Sequence, residues 1–121
     1  MTKTTKTKSD SFRLRVKLDL CGGVMGPGKA ELMKKIDTLG SISAAAREMG
    51  INYRRAWFLL ETLSKPLGLP VIITEKGGTA GGGASLSDSG RAILDAYEHC
   101  VIAADLNTAK LLEDLRVTLN K

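Results

Sequence analysis

The sequence predicts an α+β fold in which helix dominates, and three observations carry that reading. Apolar and charged residues alternate without a break from Phe12 to Leu20, which marks a strand with one buried face. Short segments with helical periodicity follow, punctuated by Gly40 and Gly50. From Arg91 to Leu119 no proline or glycine interrupts the chain, which marks a long terminal helix. A chain of 121 residues suits one compact body.

Each element has its own signal. Residues 1–11 are Thr/Lys-rich and read as a disordered basic tail; 12–90 read as the folded domain, and 91–121 as a separate helical arm. The strand ends at Cys21-Gly22-Gly23, and Gly26-Pro27-Gly28 reads as a second turn ahead of a helix. Leu32, Met33, Ile36 and Leu39 form one apolar stripe, so a first helix is expected over Lys29–Leu39. The alanine-rich segment Ser41–Met49 reads as a second, short helix with Ser41 or Ser43 as its cap. Asn52 caps a third, whose Ala56, Leu60, Leu63 and Leu67 share a face; Pro66 predicts an irregular last turn. Val71–Glu75 and Ala84–Ser87 read as two strands joined by a glycine-rich connection.

A short helix, a turn at Gly50 and an N-capped basic helix match the helix-turn-helix layout. In that layout the start of the second helix enters the major groove of DNA. Here it carries Asn52, Tyr53, Arg54 and Arg55. An arginine fork pairs bidentately with guanine, and a helix N-terminus attracts phosphate. The alternative is a pair of solvated surface arginines. A hairpin after such a unit is a wing, with Lys76 beside its tip. The glycine-rich tip lacks the Gly-Lys-Ser/Thr ending of a nucleotide-binding loop. Lys65, on the wet face of the third helix, completes the expected DNA-facing set.

In the terminal helix Leu94, Tyr97, Val101, Ala104, Leu111 and Leu115 follow three–four spacing, with Thr108 a weak position. Unbroken, this helix would span roughly 40 Å, so a homodimer along that seam is expected, or else a bent helix folded back on its own domain. The fold expected is therefore a winged helix-turn-helix with a small β-sheet and a long C-terminal dimerisation helix.

Charge supports an anionic partner. The net charge is +5; residues 1–91 hold 15 Lys/Arg against 8 Asp/Glu, and residues 92–121 hold 3 against 5. Cys21 and Cys100 are far apart, without metal-ligand spacing, and read as reduced, partly buried thiols; with the sole His99 they form no ligand cluster. No nucleophile–base arrangement stands out, so no enzyme, cofactor or metal is expected. No apolar run is long enough to span a bilayer and no signal peptide precedes the domain, so a cytoplasmic, non-membrane protein is expected.

The run Gly40–Trp57, Gly-Pro-Gly-Lys at 26–29 and the glycines of 77–84 closely resemble ModE-type molybdate-responsive regulators, over about residues 12–100. A looser likeness to LysR-type DNA-binding domains rests on residues 40–45. The resemblance implies a winged helix, dimerisation through the terminal helix, and Ser43, Tyr53, Arg54 and Arg55 at the DNA face. The family's oxyanion-binding module, with its Ser-Ala-Arg-Asn motif, is not found before Lys121. The expectation is therefore a sequence-specific DNA-binding transcriptional regulator of the ModE type, lacking the oxyanion-binding domain, and molybdate sensing is not assigned. The alternatives are a non-specific architectural DNA binder, using the basic tail with Arg13, Arg15 and Lys17, or a small oxyanion-binding protein.

Overall fold

A computed structural model describes residues 12–75 and 83–119. The expected tail at 1–11, the glycine-rich tip and Lys76 lie outside the described residues. The fold is α+β and mostly helical, with two small antiparallel sheets. The chain divides into two compact units, one of residues 17–98 and one whose described residues are 12–16 and 99–119.

The larger unit opens with a hairpin of β1 (Leu18–Leu20) and β2 (Gly23–Met25), joined through Cys21 and Gly22. Both turn residues have positive φ, 57° and 100°, which matches a two-residue turn to the strand twist. The Gly22 N–H donates to Asp19 Oδ1 at 2.9 Å. The predicted nine-residue strand from Phe12 is thus three residues long, and residues 12–17 carry no regular structure. Its partner lies between the two turn signals of the sequence and was not expected as a strand. Pro27 explains the brevity: it starts helix α1 (Pro27–Leu39) two residues after Met25, so no longer partner strand exists.

Helices α1, α2 (Ile42–Met49) and α3 (Tyr53–Leu67) pack in sequence order. Each ends on a left-handed glycine, Gly40, Gly50 or Gly68. Leu32, Met33, Ile36, Leu60 and Leu63 are sealed from solvent, as are Ala45 and Ala56. Burying each of the larger side chains contributes about 1.5–3 kcal/mol. The small alanines let α1 and α3 lie close against α2.

Against expectation, α3 runs straight through Pro66. Proline has no N–H, so the carbonyl of Thr62 loses its usual helical donor. Gly23 lies against that oxygen: a Cβ there would stand 2.6 Å from it. The β1–β2 hairpin docks on α3 at this point.

Strands β3 (Ile72–Glu75) and β4 (Gly83–Leu86) pair antiparallel from Ile72–Leu86 to Glu75–Gly83. Ala84 N–H donates to the Gly40 carbonyl at 3.0 Å, which ties β4 to the end of α1. Helix α4 (Asp88–Thr118) begins three residues before its predicted start. The buried Ser87 hydroxyl fixes that start, donating to the Pro70 carbonyl at 2.6 Å and accepting from Gly90 N–H at 2.9 Å. Leu94 and Tyr97 complete the core. Ion pairs Arg91–Asp37 and Lys34–Glu98, each 2.8 Å, add exposed links from α4 to α1.

In the smaller unit α4 carries Ile102, Leu106, Leu111, Leu115 and Val117 exposed, while Val101, Ala104, Thr108 and Leu112 are half-buried. Cys21 and Cys100 are free, and both are exposed rather than partly buried as expected. No helix among the described residues is long and apolar enough to cross a membrane.

Candidate anion-binding face

The start of α3 is held open to solvent by two capped turns. Ser41 Oγ accepts from Ala44 N–H at 3.0 Å and fixes the start of α2. Gly50, at φ 71°, turns the chain, and Ile51 N–H returns to the Ala46 carbonyl at 3.0 Å. Asn52 Oδ1 then accepts from Arg55 N–H at 2.7 Å, a cap worth about 1 kcal/mol. This leaves Tyr53, Arg54 and Arg55 exposed on the first turn of α3. Aromatic neighbours meet two of the three. The Tyr53 ring meets Trp57 edge-on with centroids 6.4 Å apart, and the Arg55 guanidinium lies 5.4 Å from the centre of the exposed Phe58 ring.

A second group of cations adjoins this one. Lys29 stands in the first turn of α1 and donates from Nζ to the Val24 carbonyl at 2.6 Å. The aliphatic stem of Lys17 passes over Gly26, the residue that caps α1. Burial pushes the Lys29 ammonium below its usual value, and the positive charges of Arg55 and Lys17 push it the same way. Lys17, Lys29 and Arg55 thus share one electrostatic neighbourhood. The first turn of α1 holds no acidic residue, although a helix N-terminus ordinarily favours one.

Of the residues expected to face DNA, the structure brings Asn52, Tyr53, Arg54 and Arg55 together. Ser43 is exposed on α2. Lys65 is exposed in the last turn of α3, roughly 16 Å along the helix axis from Arg54. There it borders an open groove of about 330 Å³ together with Trp57, Leu69 and Ile72. Lys76 lies outside the described residues. Of the expected dimer seam, Leu94 and Tyr97 are 4% exposed within this single chain. Val101 and Ala104 are half-buried, and only Leu111 and Leu115 present large apolar surface. The Lys17–Lys29 pairing is absent from the sequence reading. Its signal was a lysine in a first helical turn, where the dipole disfavours a cation.

No family model matches the chain. It is 39% identical over 105 residues to the "Molybdenum-pterin-binding protein MopB" of Rhodobacter capsulatus, a span of 87% of this chain and 37% of that protein. It is 30% identical over 111 residues to the "Molybdenum transport protein ModE" of Azotobacter vinelandii, covering 91% of this chain and 40% of the relative. The "DNA-binding transcriptional dual regulator ModE" of Escherichia coli K12 matches over a shorter stretch, 32% identical over 72 residues, 60% of this chain and 28% of that protein. The chain therefore spans about two fifths of the length of the relatives it matches most fully.

These matches overturn the expected function, a sequence-specific DNA-binding transcriptional regulator lacking the oxyanion-binding domain. The relative that shares 87% of this chain is named for binding molybdenum-pterin, and another that shares 91% is named for molybdenum transport. The chain is related to the ModE and Mop molybdenum proteins.

Proposed function

We propose that this chain serves a molybdenum-binding protein and that the metal is met as its tetrahedral oxyanion, molybdate. The observation that carries this reading is the 39% identity to a molybdenum-pterin-binding protein over 87% of the chain. The chemistry of the described residues suits an oxyanion. Molybdate offers only acceptor oxygens and negative charge, so it is held by N–H donors and cations. Lys17, Lys29, Arg54 and Arg55 supply both. On this reading the protein binds its ligand and does not transform it. Calorimetry of the chain with molybdate and tungstate, against sulfate as control, tests the proposal. The expected result is a saturable heat for the two group-six oxyanions. A flat titration at millimolar protein would overturn it.

A second reading concerns the partner, and a specific observation favours it. Two arginines and a tyrosine stand exposed on the capped first turn of α3, behind a short helix and a glycine turn. One relative is named as DNA-binding. On this reading α2 and α3 are a helix-turn-helix, the β3–β4 hairpin is its wing, and double-stranded DNA is a partner of the molybdenum protein. Two copies then meet along the α4 face that carries Leu111 and Leu115. Fluorescence anisotropy of a labelled duplex at two salt concentrations tests it. Arg54→Ala and Arg55→Ala are each expected to weaken binding about tenfold, or roughly 1.4 kcal/mol. Lack of duplex binding at low salt would refute this partner and leave the oxyanion reading untouched.

A further inference from the structure

We infer that the free edge of β3 is a self-association surface, which pairs antiparallel with β3 of a second copy about a two-fold axis at Ile73. The inference involves no ligand and goes beyond the function proposed above.

Two hydrogen bonds fix the direction of the backbone groups in β3. Ser87 N–H donates to the Val71 carbonyl at 3.0 Å, and continuing the β3–β4 register by one step sets residues 71 and 87 opposite each other. Bonded and non-bonded pairs alternate along an antiparallel ladder. Ile73–Ser85 and Glu75–Gly83 are therefore the bonded pairs, and Ile72–Leu86 and Thr74–Ala84 are not. The outer edge of β4 agrees: Ala84 N–H turns away from Thr74 and donates to the Gly40 carbonyl at 3.0 Å. Ile72 and Thr74 thus aim their N–H and C=O groups away from β4. Among the described residues no partner is assigned to these groups. The end of α1 ties down the outer edge of β4, whereas the edge of β3 at 72–74 has no lysine or proline to discourage pairing.

That edge is self-complementary. When two β3 strands run antiparallel with Ile73 facing itself, Ile72 of each falls opposite Thr74 of the other. These are the residues whose backbone groups point outward, so each pair exchanges both of its N–H···O bonds. Ile73 is large, apolar and 49% exposed in the single chain. In the pair it meets its own copy at a non-bonded position, with Cα atoms about 4.5 Å apart and both side chains on one face. Charge matches in the same register. Glu75 comes opposite Val71 of the second copy, which lines the open groove that Lys65 borders. Neither Glu75 nor Lys65 has an ion pair among the described residues. A two-fold axis makes this match on both sides at once. An extended peptide from another protein would meet the same backbone groups, but it would lack the match of Ile73 to itself and of Glu75 to Lys65.

The test is disulfide trapping in the full chain with Cys21→Ser and Cys100→Ser, carrying either Ile73→Cys or Thr74→Cys. Circular dichroism of the reduced proteins checks that each is folded. Across the axis the Ile73→Cys thiols lie within disulfide reach, while the Thr74→Cys positions stand roughly 8 Å apart between Cα atoms, beyond it. With oxidised glutathione, Ile73→Cys is expected to form a covalent dimer about tenfold faster than Thr74→Cys, or more. Copies held together by α4 alone would not favour 73 over 74, so equal rates at the two positions overturn the inference. No covalent dimer at either position overturns it as well and leaves the edge to an extended peptide of another protein.

Discussion

Gly90→Ala is the substitution whose cost the structure defines best. Gly90 sits in the first turn of α4, pressed onto the backbone of Val71, the residue before β3. A Cβ built there stands 2.1 Å from the Val71 carbonyl oxygen, 3.0 Å from its carbon and 3.2 Å from its Cα. All three are backbone atoms, so no side chain can turn aside. Ordinary contact begins near 3.4 Å, so α4 and β3 must part by about 1.3 Å. That separation strains the bonds from Ser87 N–H to Val71 at 3.0 Å and from Ser87 Oγ to Pro70 at 2.6 Å. Overpacking costs about 1–3 kcal/mol and each weakened bond about 0.5–1.5 kcal/mol. Alanine's better helix propensity returns about 1 kcal/mol. The net loss is about 1–5 kcal/mol, a large share of the stability of a small domain. Gly28→Ala is the paired control: it lies in the first turn of α1, nothing stands within 4 Å of its Cβ position, and it should gain up to about 1 kcal/mol. Urea unfolding followed by circular dichroism reads both. The expected midpoint of Gly90→Ala falls by about 1 M. Equal midpoints for Gly90→Ala and wild type would refute the close packing of α4 on β3.

Three other outcomes follow from the same geometry. Cys21 holds φ 57° in the hairpin turn, so Cys21→Asn should stabilise the fold by about 0.5–1 kcal/mol; a loss of stability in thermal melts would argue against the turn. Leu106 is 78% exposed and Leu60 1% exposed, so Leu106→Lys should change chemical stability by under about 0.5 kcal/mol and Leu60→Ala should cost about 2–5 kcal/mol. A large, concentration-dependent loss for Leu106→Lys would instead mean that another copy covers α4. Lys29 has a folded pKa below the unfolded value of 10.5, so the unfolded state binds more protons between those two values. Stability therefore rises with pH across that window, and Lys29→Met should flatten the rise in alkaline denaturation curves; an unchanged slope would show that burial does not lower the proton affinity of this ammonium.

The helices were legible because periodicity and caps are local. Asn52 and Gly50 bracket the turn before α3 in sequence as they do in space, and Leu60 and Leu63 lie on the face that their spacing assigns. The first strand was misjudged because its length is set by a partner. The alternation from Phe12 is real, but Pro27 limits β2, and only pairing turns alternation into a ladder. Pro66 was expected to disturb α3, since the sequence does not show that the freed carbonyl of Thr62 faces a glycine from another element. The arginines of the candidate site followed from one short segment. Lys29 did not, and Lys17 entered only with the basic tail, because the two come near Gly26 only after β1, β2 and α1 have folded.

The contact between Gly23 and the Thr62 carbonyl also ties two distant positions into one evolutionary unit. Any side chain at 23 pushes the hairpin off α3, while a residue with an N–H at 66 reclaims the carbonyl for the helix and changes the surface that the hairpin meets. The two positions should therefore change together across relatives of this chain. A hairpin exchanged between two of them would dock only if it travelled with the last turn of its own third helix.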